Sequence, residues 1–221
     1  MNHDPEGNRI MRILAFVVLG LLVSGAALAG DALSIGAKAP KADVQMKNVD
    51  GKAVTIANAA GKKGTLVVFT CNACPWVKKW EERLVQIGNA SLEKGIGVIF
   101  VNSNDPARAA EDGFDEMVAR SKKHGMKFAY AVDGTSDVAR AFGATRTPEA
   151  FLFDARGKLV YHGTVDDNAD KPELVENTYL MDAVTAVAAG GAVETAQTKA
   201  LGCSIKFRTT EAEAATAKTK S

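Results

Sequence analysis

Four apolar runs punctuate the chain: residues 66–69 (Leu-Val-Val-Phe), 98–101 (Val-Ile-Phe-Val), 129–132 (Ala-Tyr-Ala-Val) and 150–153 (Ala-Phe-Leu-Phe). Runs of this length without alternation predict strands covered on both faces, as at the centre of a parallel sheet. Between them the period changes. Val77, Trp80, Leu84 and Ile87 recur at helical spacing, surrounded by Lys78, Lys79, Glu81, Glu82 and Arg83. Pro75 stands at the first turn, where a helix tolerates proline, and Gly95 closes the segment. Phe114, Met117 and Val118 mark a second helix ending near Gly125. Ser136 or Asp137 caps a short third helix that stops at Phe142-Gly143. Residues 180–189 form a last amphipathic helix, ended by Gly190-Gly191.

Two hairpins frame this alternation. Asn48-Val49-Asp50-Gly51 lies between apolar flanks in residues 44–55, and Asp-Gly is a hairpin turn signal. Ala155-Arg156-Gly157 joins residues 150–153 to Leu159-Val160-Tyr161. A single helical turn fits residues 57–63, and residues 102–106 read as a loop. The order is hairpin, β, α, β, α, β, α, β, β, α. It predicts an α/β class with a central mixed sheet flanked by helices. The N-terminal hairpin and one helix inserted between two strands are additions to that core.

The N-terminus has a different pattern. Arg9 and Arg12 precede an apolar stretch at residues 13–23, and Ala27-Leu28-Ala29 is a small-x-small cleavage pattern. These features predict a signal peptide over residues 1–29, with Met1 or Met11 as the start. The stretch is shorter than the roughly 20 residues of a membrane span, so no stable anchor is expected after cleavage. The expected location is exported, periplasmic or secreted, where disulfides persist. Residues 30–208 form one domain, and residues 209–221, without a large apolar side chain, read as a disordered tail. A formal net charge of +1 in 221 residues gives no reason to expect nucleic acid or an anionic membrane as partner.

The chemistry is concentrated in three cysteines. Cys71-Asn72-Ala73-Cys74 lies between the apolar run at residues 66–69 and the helix at Pro75. Two thiols three positions apart at a strand-to-helix junction are the redox-active arrangement of a thioredoxin-like fold. Placed at the helix N-terminus, Cys71 gains from free backbone N–H groups and the helix dipole. Lys78 and Lys79 add a modest positive field. The expected cycle is attack by Cys71 on a partner disulfide, then resolution by Cys74. The alternatives are a structural zinc or a buried pair. Zinc needs two further ligands, and beyond the signal segment only His124, His162 and Cys203 remain. No cofactor or metal is expected. Thr147-Pro148 heads a strand, where an X-Pro bond can be cis, and is expected to shape a docking groove with Trp76. Cys203 is a candidate third redox thiol. Gly202 allows a tight backbone before it, and Ile205 and Phe207 anchor it as a short strand. The competing reading is a buried free thiol.

Several blocks together resemble a known family. They are Phe69-Thr70-Cys71-Asn72-Ala73-Cys74-Pro75-Trp76-Val77, Val101-Asn102-Ser103-Asn104-Asp105, residues 145–154 around Thr147-Pro148, Tyr161-His162-Gly163 with Val165-Asp166-Asp167-Asn168, and Gly202-Cys203-Ser204-Ile205-Lys206-Phe207. The resemblance is to the peroxiredoxin-like branch of the redoxin (AhpC/TSA) proteins and runs from about Gly36 to Phe207. It implies a thioredoxin fold and an oxidoreductase or antioxidant activity. A peroxidatic cysteine of that family carries a threonine three positions before it. Here Val68 precedes Cys71 and Cys71 precedes Cys74 at that spacing. The leading reading is therefore thiol–disulfide exchange with a protein thiol or disulfide partner, or with a small thiol reductant. A thiol-dependent peroxidase is the alternative, and a non-enzymatic copper-binding redoxin is a third. The acidic loop Asp166, Asp167 and Asp170 is expected to be solvated, and His162 to be a strand-end residue.

Overall fold

In the computed structural model, residues 32–209 are described. The expected signal peptide at residues 1–29 and the expected tail, apart from Thr209, lie outside the described residues. In chain order the strands are β1 (Met46–Asn48), β2 (Ala53–Val54), β3 (Gly64–Thr70), β4 (Ile96–Asn102), β5 (Ala129–Val132), β6 (Arg146–Thr147), β7 (Glu149–Asp154), β8 (Leu159–Gly163) and β9 (Cys203–Ser204). The helices are α1 (Pro75–Glu93), α2 (Phe114–His124), α3 (Asp137–Phe142) and α4 (Tyr179–Ala188).

Seven strands form one mixed sheet in the order β2-β1-β5-β4-β3-β7-β8. β3, β4 and β5 run parallel at its centre. The hairpin β1–β2 joins antiparallel through β5, and β7–β8 joins antiparallel through β3. This is the expected mixed sheet with helices on both faces. The uninterrupted apolar run of β3 serves both faces. Leu66 and Val68 pack with Trp80, Leu84, Met117, Leu180 and Val184, which come from α1, α2 and α4. Val67 and Phe69 pack on the other face with Val138 and Phe142 of α3 and with Met46, Ile56 and Ile205. Each such side chain stabilises the fold by about 1.5–3 kcal/mol relative to an exposed one.

The element ends follow local chemistry. Gly125 ends α2 at φ 64°, a left-handed conformation that costs glycine little. At α3 the structure differs from the expected capping. Ser136 occupies the N-cap position, but its hydroxyl donates to the Ser103 carbonyl at 2.6 Å. Asp133 Oδ2 accepts the Ala139 N–H instead, at 3.0 Å. Two two-residue strands, β6 and β9, pair antiparallel with each other outside the main sheet, matching Arg146 with Ser204 and Thr147 with Cys203. That pairing brings the end of the domain back to the end of β3.

Candidate active site

β3 delivers the chain to Cys71, and Cys74 is the N-cap residue of α1. The helix terminus thus belongs to Cys74, not to Cys71 as expected from chain order. Pro75 has no N–H, so the first free amides of the helix are those of Trp76 and Val77. Cys74 occupies the N-cap position without a hydrogen bond from its side chain to the first turn. Thr147-Pro148 is a cis peptide. The Thr147 carbonyl accepts from the Cys74 thiol at 3.1 Å, and Thr147 Oγ1 lies 3.3 Å from Cys71 Sγ. Cys71, Cys74 and Val77 form one buried cluster, and Cys203 and Trp76 pack against it. All three are free thiols. Cys71 and Cys74 are only 1% and 2% exposed, whereas Cys203 is half-buried.

These partners divide the protons unequally. The hydrogen bond from Cys71 brings the Cys74 thiol down to about 4, with further help from Cys203, the Val77 amide and Thr147, against the opposing effect of burial. The same hydrogen bond pushes Cys71 up, and burial and the nearby Asp112 carboxylate add to it. Burial and the neighbouring Cys74 raise Cys203. These influences depress Cys74 and raise Cys71, and loss of the Cys74 proton gives up the bond that the thiol makes to the Thr147 carbonyl.

Asp112, in the helical turn Ala110–Asp112, was not singled out by the sequence, yet it organises the loop. Its Oδ1 accepts the N–H of Asn72 at 2.6 Å and of Ala73 at 3.0 Å, and its Oδ2 accepts from Asn104 Nδ2 at 2.8 Å. The Asn72 side chain points inward. Its Oδ1 accepts from the Tyr130 hydroxyl at 2.8 Å, and its Nδ2 donates to the Glu111 carbonyl at 2.7 Å. Arg120, paired with Glu81, donates to the Asn72 carbonyl at 3.0 Å. Burial raises the Tyr130 hydroxyl well above its ordinary range, so it remains a donor. Glu149 does for the proline loop what Asp112 does for the cysteine loop. Its Oε2 accepts the N–H of Thr145 and Arg146, each at 2.8 Å, and its Oε1 meets His162 Nε2 at 2.7 Å. His162 lies near the end of β8, as expected.

Other expectations are corrected. Lys78 pairs with Glu111 at 2.7 Å and Lys79 with Asp170 at 2.6 Å, so their charges are matched locally. Asp166 is not solvated. It is 3% exposed, accepts from Trp80 Nε1 at 2.7 Å and pairs with Arg83. Asp167, by contrast, is exposed and takes three donors from Glu176 and Asn177. Trp80 is core, while Trp76 is half-buried beside the cysteines, with its ring centroid 5.7 Å from that of Trp80. The backbone beside Pro148 pairs with β9, so the edge expected to receive a partner is taken by the chain itself. Among the described residues, no group of three or more His, Cys, Asp or Glu side chains is disposed to hold a metal ion.

The family profile described as Redoxin matches residues 34–178. The chain belongs to the redoxin family. Two solved structures are similar over most of their length. A hypothetical protein from Sinorhizobium meliloti 1021 is 32% identical with a TM-score of 0.73, and the match covers 81% of this redoxin and 98% of that chain. An uncharacterized conserved protein from Geobacillus kaustophilus is 32% identical with a TM-score of 0.74, covering 80% and 94%. The thiol-disulfide oxidoreductase ResA of Bacillus cereus is 23% identical over 158 residues, which is 67% of this redoxin and 86% of that protein. The profile takes in Cys71, Cys74 and Thr147-Pro148. It ends before Cys203, whereas the expected resemblance ran to Phe207.

Proposed function

We propose that this thiol–disulfide oxidoreductase of the redoxin superfamily cycles Cys71 and Cys74 between dithiol and disulfide, with Cys74 opening the cycle. One observation carries the reading: Cys74 sits at the N-cap position of α1, with Cys71 and Cys203 packed beside it. The helix N-terminus favours an anion at that sulfur. The Cys74 thiolate attacks one sulfur of a partner disulfide, and the other partner sulfur leaves as a thiolate. Cys71 gives its proton to that leaving thiolate and attacks the Cys74 sulfur of the mixed disulfide. The Cys71–Cys74 disulfide forms, the second partner sulfur leaves as a thiolate that takes a proton from solvent, and the partner departs as a dithiol. Two electrons have passed to the partner. The partner class is a protein disulfide or a small disulfide. The pattern from Arg9 to Ala29 supports an exported setting.

The test is reduction of insulin disulfides with dithiothreitol as electron donor. Wild type accelerates the reaction, and Cys71→Ser or Cys74→Ser abolishes the acceleration. A wild-type rate equal to that of dithiothreitol alone removes the reading. Trapping sets the order of attack. Cys71→Ser accumulates a mixed disulfide on Cys74. A mixed disulfide that accumulates only on Cys71, in Cys74→Ser, restores the order expected from the sequence.

A further inference from the structure

We infer that Cys203 is a third exchange thiol, so that the oxidised protein interconverts between a buried Cys71–Cys74 disulfide and a Cys74–Cys203 disulfide that faces solvent. This rests on the dithiol reading above and adds a second resting place for the oxidising equivalent.

Cys203 packs against the cluster of Cys71, Cys74 and Val77. Thr147, whose carbonyl accepts from the Cys74 thiol, is the β6 residue paired with Cys203, so the inferred order is a line with Cys74 in the middle. The backbone holds the line in place. Thr147 faces Cys203 across the β6–β9 pair, and the Ile205 N–H donates to the Thr145 carbonyl at 3.0 Å. Beyond β9, Ile205 is buried, and the Lys206 N–H donates to Asn104 Oδ1 at 2.8 Å. Gly202 lies so close to Thr147 that an added Cβ would stand 2.2 Å from the Thr147 carbonyl oxygen. Only glycine allows that approach.

Access gives the line a direction. Cys71 and Cys74 are covered, Cys203 is half-buried, and Leu201 and Ser204 beside it are exposed. β9 itself occupies the edge beside Pro148, so an incoming thiol meets Cys203 first.

The step balances without an outside oxidant. Cys203 loses its proton and its thiolate attacks the Cys74 sulfur of the Cys71–Cys74 disulfide. The Cys71–Cys74 bond breaks, the Cys74–Cys203 bond forms, and Cys71 leaves as a thiolate that takes the proton. An external reductant thiol then attacks Cys203, and Cys74 departs as the thiolate favoured at the helix terminus. Stable leaving thiolates leave faster.

The peptides report the two disulfides separately. Trypsin places Cys71 and Cys74 on one peptide, residues 64–78, and Cys203 on another, residues 200–206. The full chain is oxidised with diamide, quenched with N-ethylmaleimide, digested and weighed. The wild type is expected to give both the internally bridged peptide and the pair linked through Cys74 and Cys203. In Cys71→Ser, and independently in Cys71→Ala, the linked pair becomes the dominant oxidised species. In Cys74→Ser it is lost. Absence of the linked pair in both Cys71 variants, with the internal bridge intact in wild type, overturns the relay and leaves the dithiol reading standing. A Cys71–Cys203 link in Cys74→Ser overturns the linear order. Absence of the internal bridge in wild type removes the dithiol reading itself.

Discussion

The proton held unequally by Cys71 and Cys74 has a measurable consequence for the redox potential. The perturbation is pH. The disulfide binds no sulfur proton. In the reduced protein Cys74 has already lost its proton above about 4, while Cys71 keeps its own. Reduction between pH 5 and 8 therefore takes up one proton for two electrons. Each such proton moves the midpoint by about 30 mV per pH unit. Over those three pH units the potential falls by about 90 mV, against about 180 mV if both thiols took up protons. The assay is equilibration with dithiothreitol or glutathione buffers across that range, with the oxidised fraction read by alkylation and mass. The Cys203→Ser variant isolates the pair. A slope of about 60 mV per pH unit throughout would refute the assignment. Stability of the reduced protein follows the same sign. A free cysteine titrates near pH 8.5, at about 8.5 in an unfolded chain. Between about 4 and that value the unfolded chain binds more protons, so stability rises with pH. Above it the raised Cys71 keeps a proton that the unfolded chain has lost, and stability falls.

Four further outcomes are expected. Asp112→Ala leaves the amides of Asn72 and Ala73 without their acceptor, which costs about 1–3 kcal/mol per buried group in chemical denaturation. Asp112→Asn keeps an acceptor but removes the charge, so Cys71 titrates lower, as read by ultraviolet thiolate absorbance against pH. Asp166→Ala leaves the buried Trp80 indole N–H without an acceptor and Arg83 with only the Asn168 and Ala169 carbonyls, with an expected loss of about 1–3 kcal/mol and a change in tryptophan emission. An unchanged denaturation midpoint there would show that the buried pair contributes nothing. Gly202→Ala pushes β9 off Thr147 and lowers the yield of the Cys74–Cys203 link while the Cys71–Cys74 bridge still forms. Equal yields of both species would contradict the close approach.

The fold was legible where burial is two-sided and long. β3, β4 and β7 lie inside the hydrophobic core, and their central stretches, residues 66–69, 98–101 and 150–153, carry no polar position to obscure them. The helix after Cys74 announced itself by Val77, Trp80 and Leu84. What escaped was tertiary. β6 and β9 are two residues each, too short for any period, and each exists because the other is there. Asp112 sits in a stretch, Ala109-Ala110-Glu111-Asp112-Gly113, that reads as an ordinary helix start, and nothing local says its carboxylate reaches back to Asn72. Asp166 was misread because neighbouring acids usually mean solvent. Its partners, Trp80 and Arg83, are more than eighty residues away. Glu149 carried a faint signal, a charged residue opening an otherwise apolar strand directly after a proline.

The return of the C-terminal segment sets the order in which the site is assembled. The Thr198 N–H donates to the His162 carbonyl at 3.0 Å, the Thr198 hydroxyl accepts the Thr164 N–H at 2.9 Å, and Phe207 bridges to Asn104. These are contacts between the last part of the domain and parts made much earlier, and closing such long loops is slow. A ribosome exposes Cys71 and Cys74 while Cys203 is still unmade. The nascent chain therefore passes through a two-cysteine stage with the proline edge uncovered, and the third sulfur arrives as the final piece. Pulse-labelled chains halted before residue 201 should form the Cys71–Cys74 bridge alone when oxidised, and when kept reduced should alkylate faster than the finished protein.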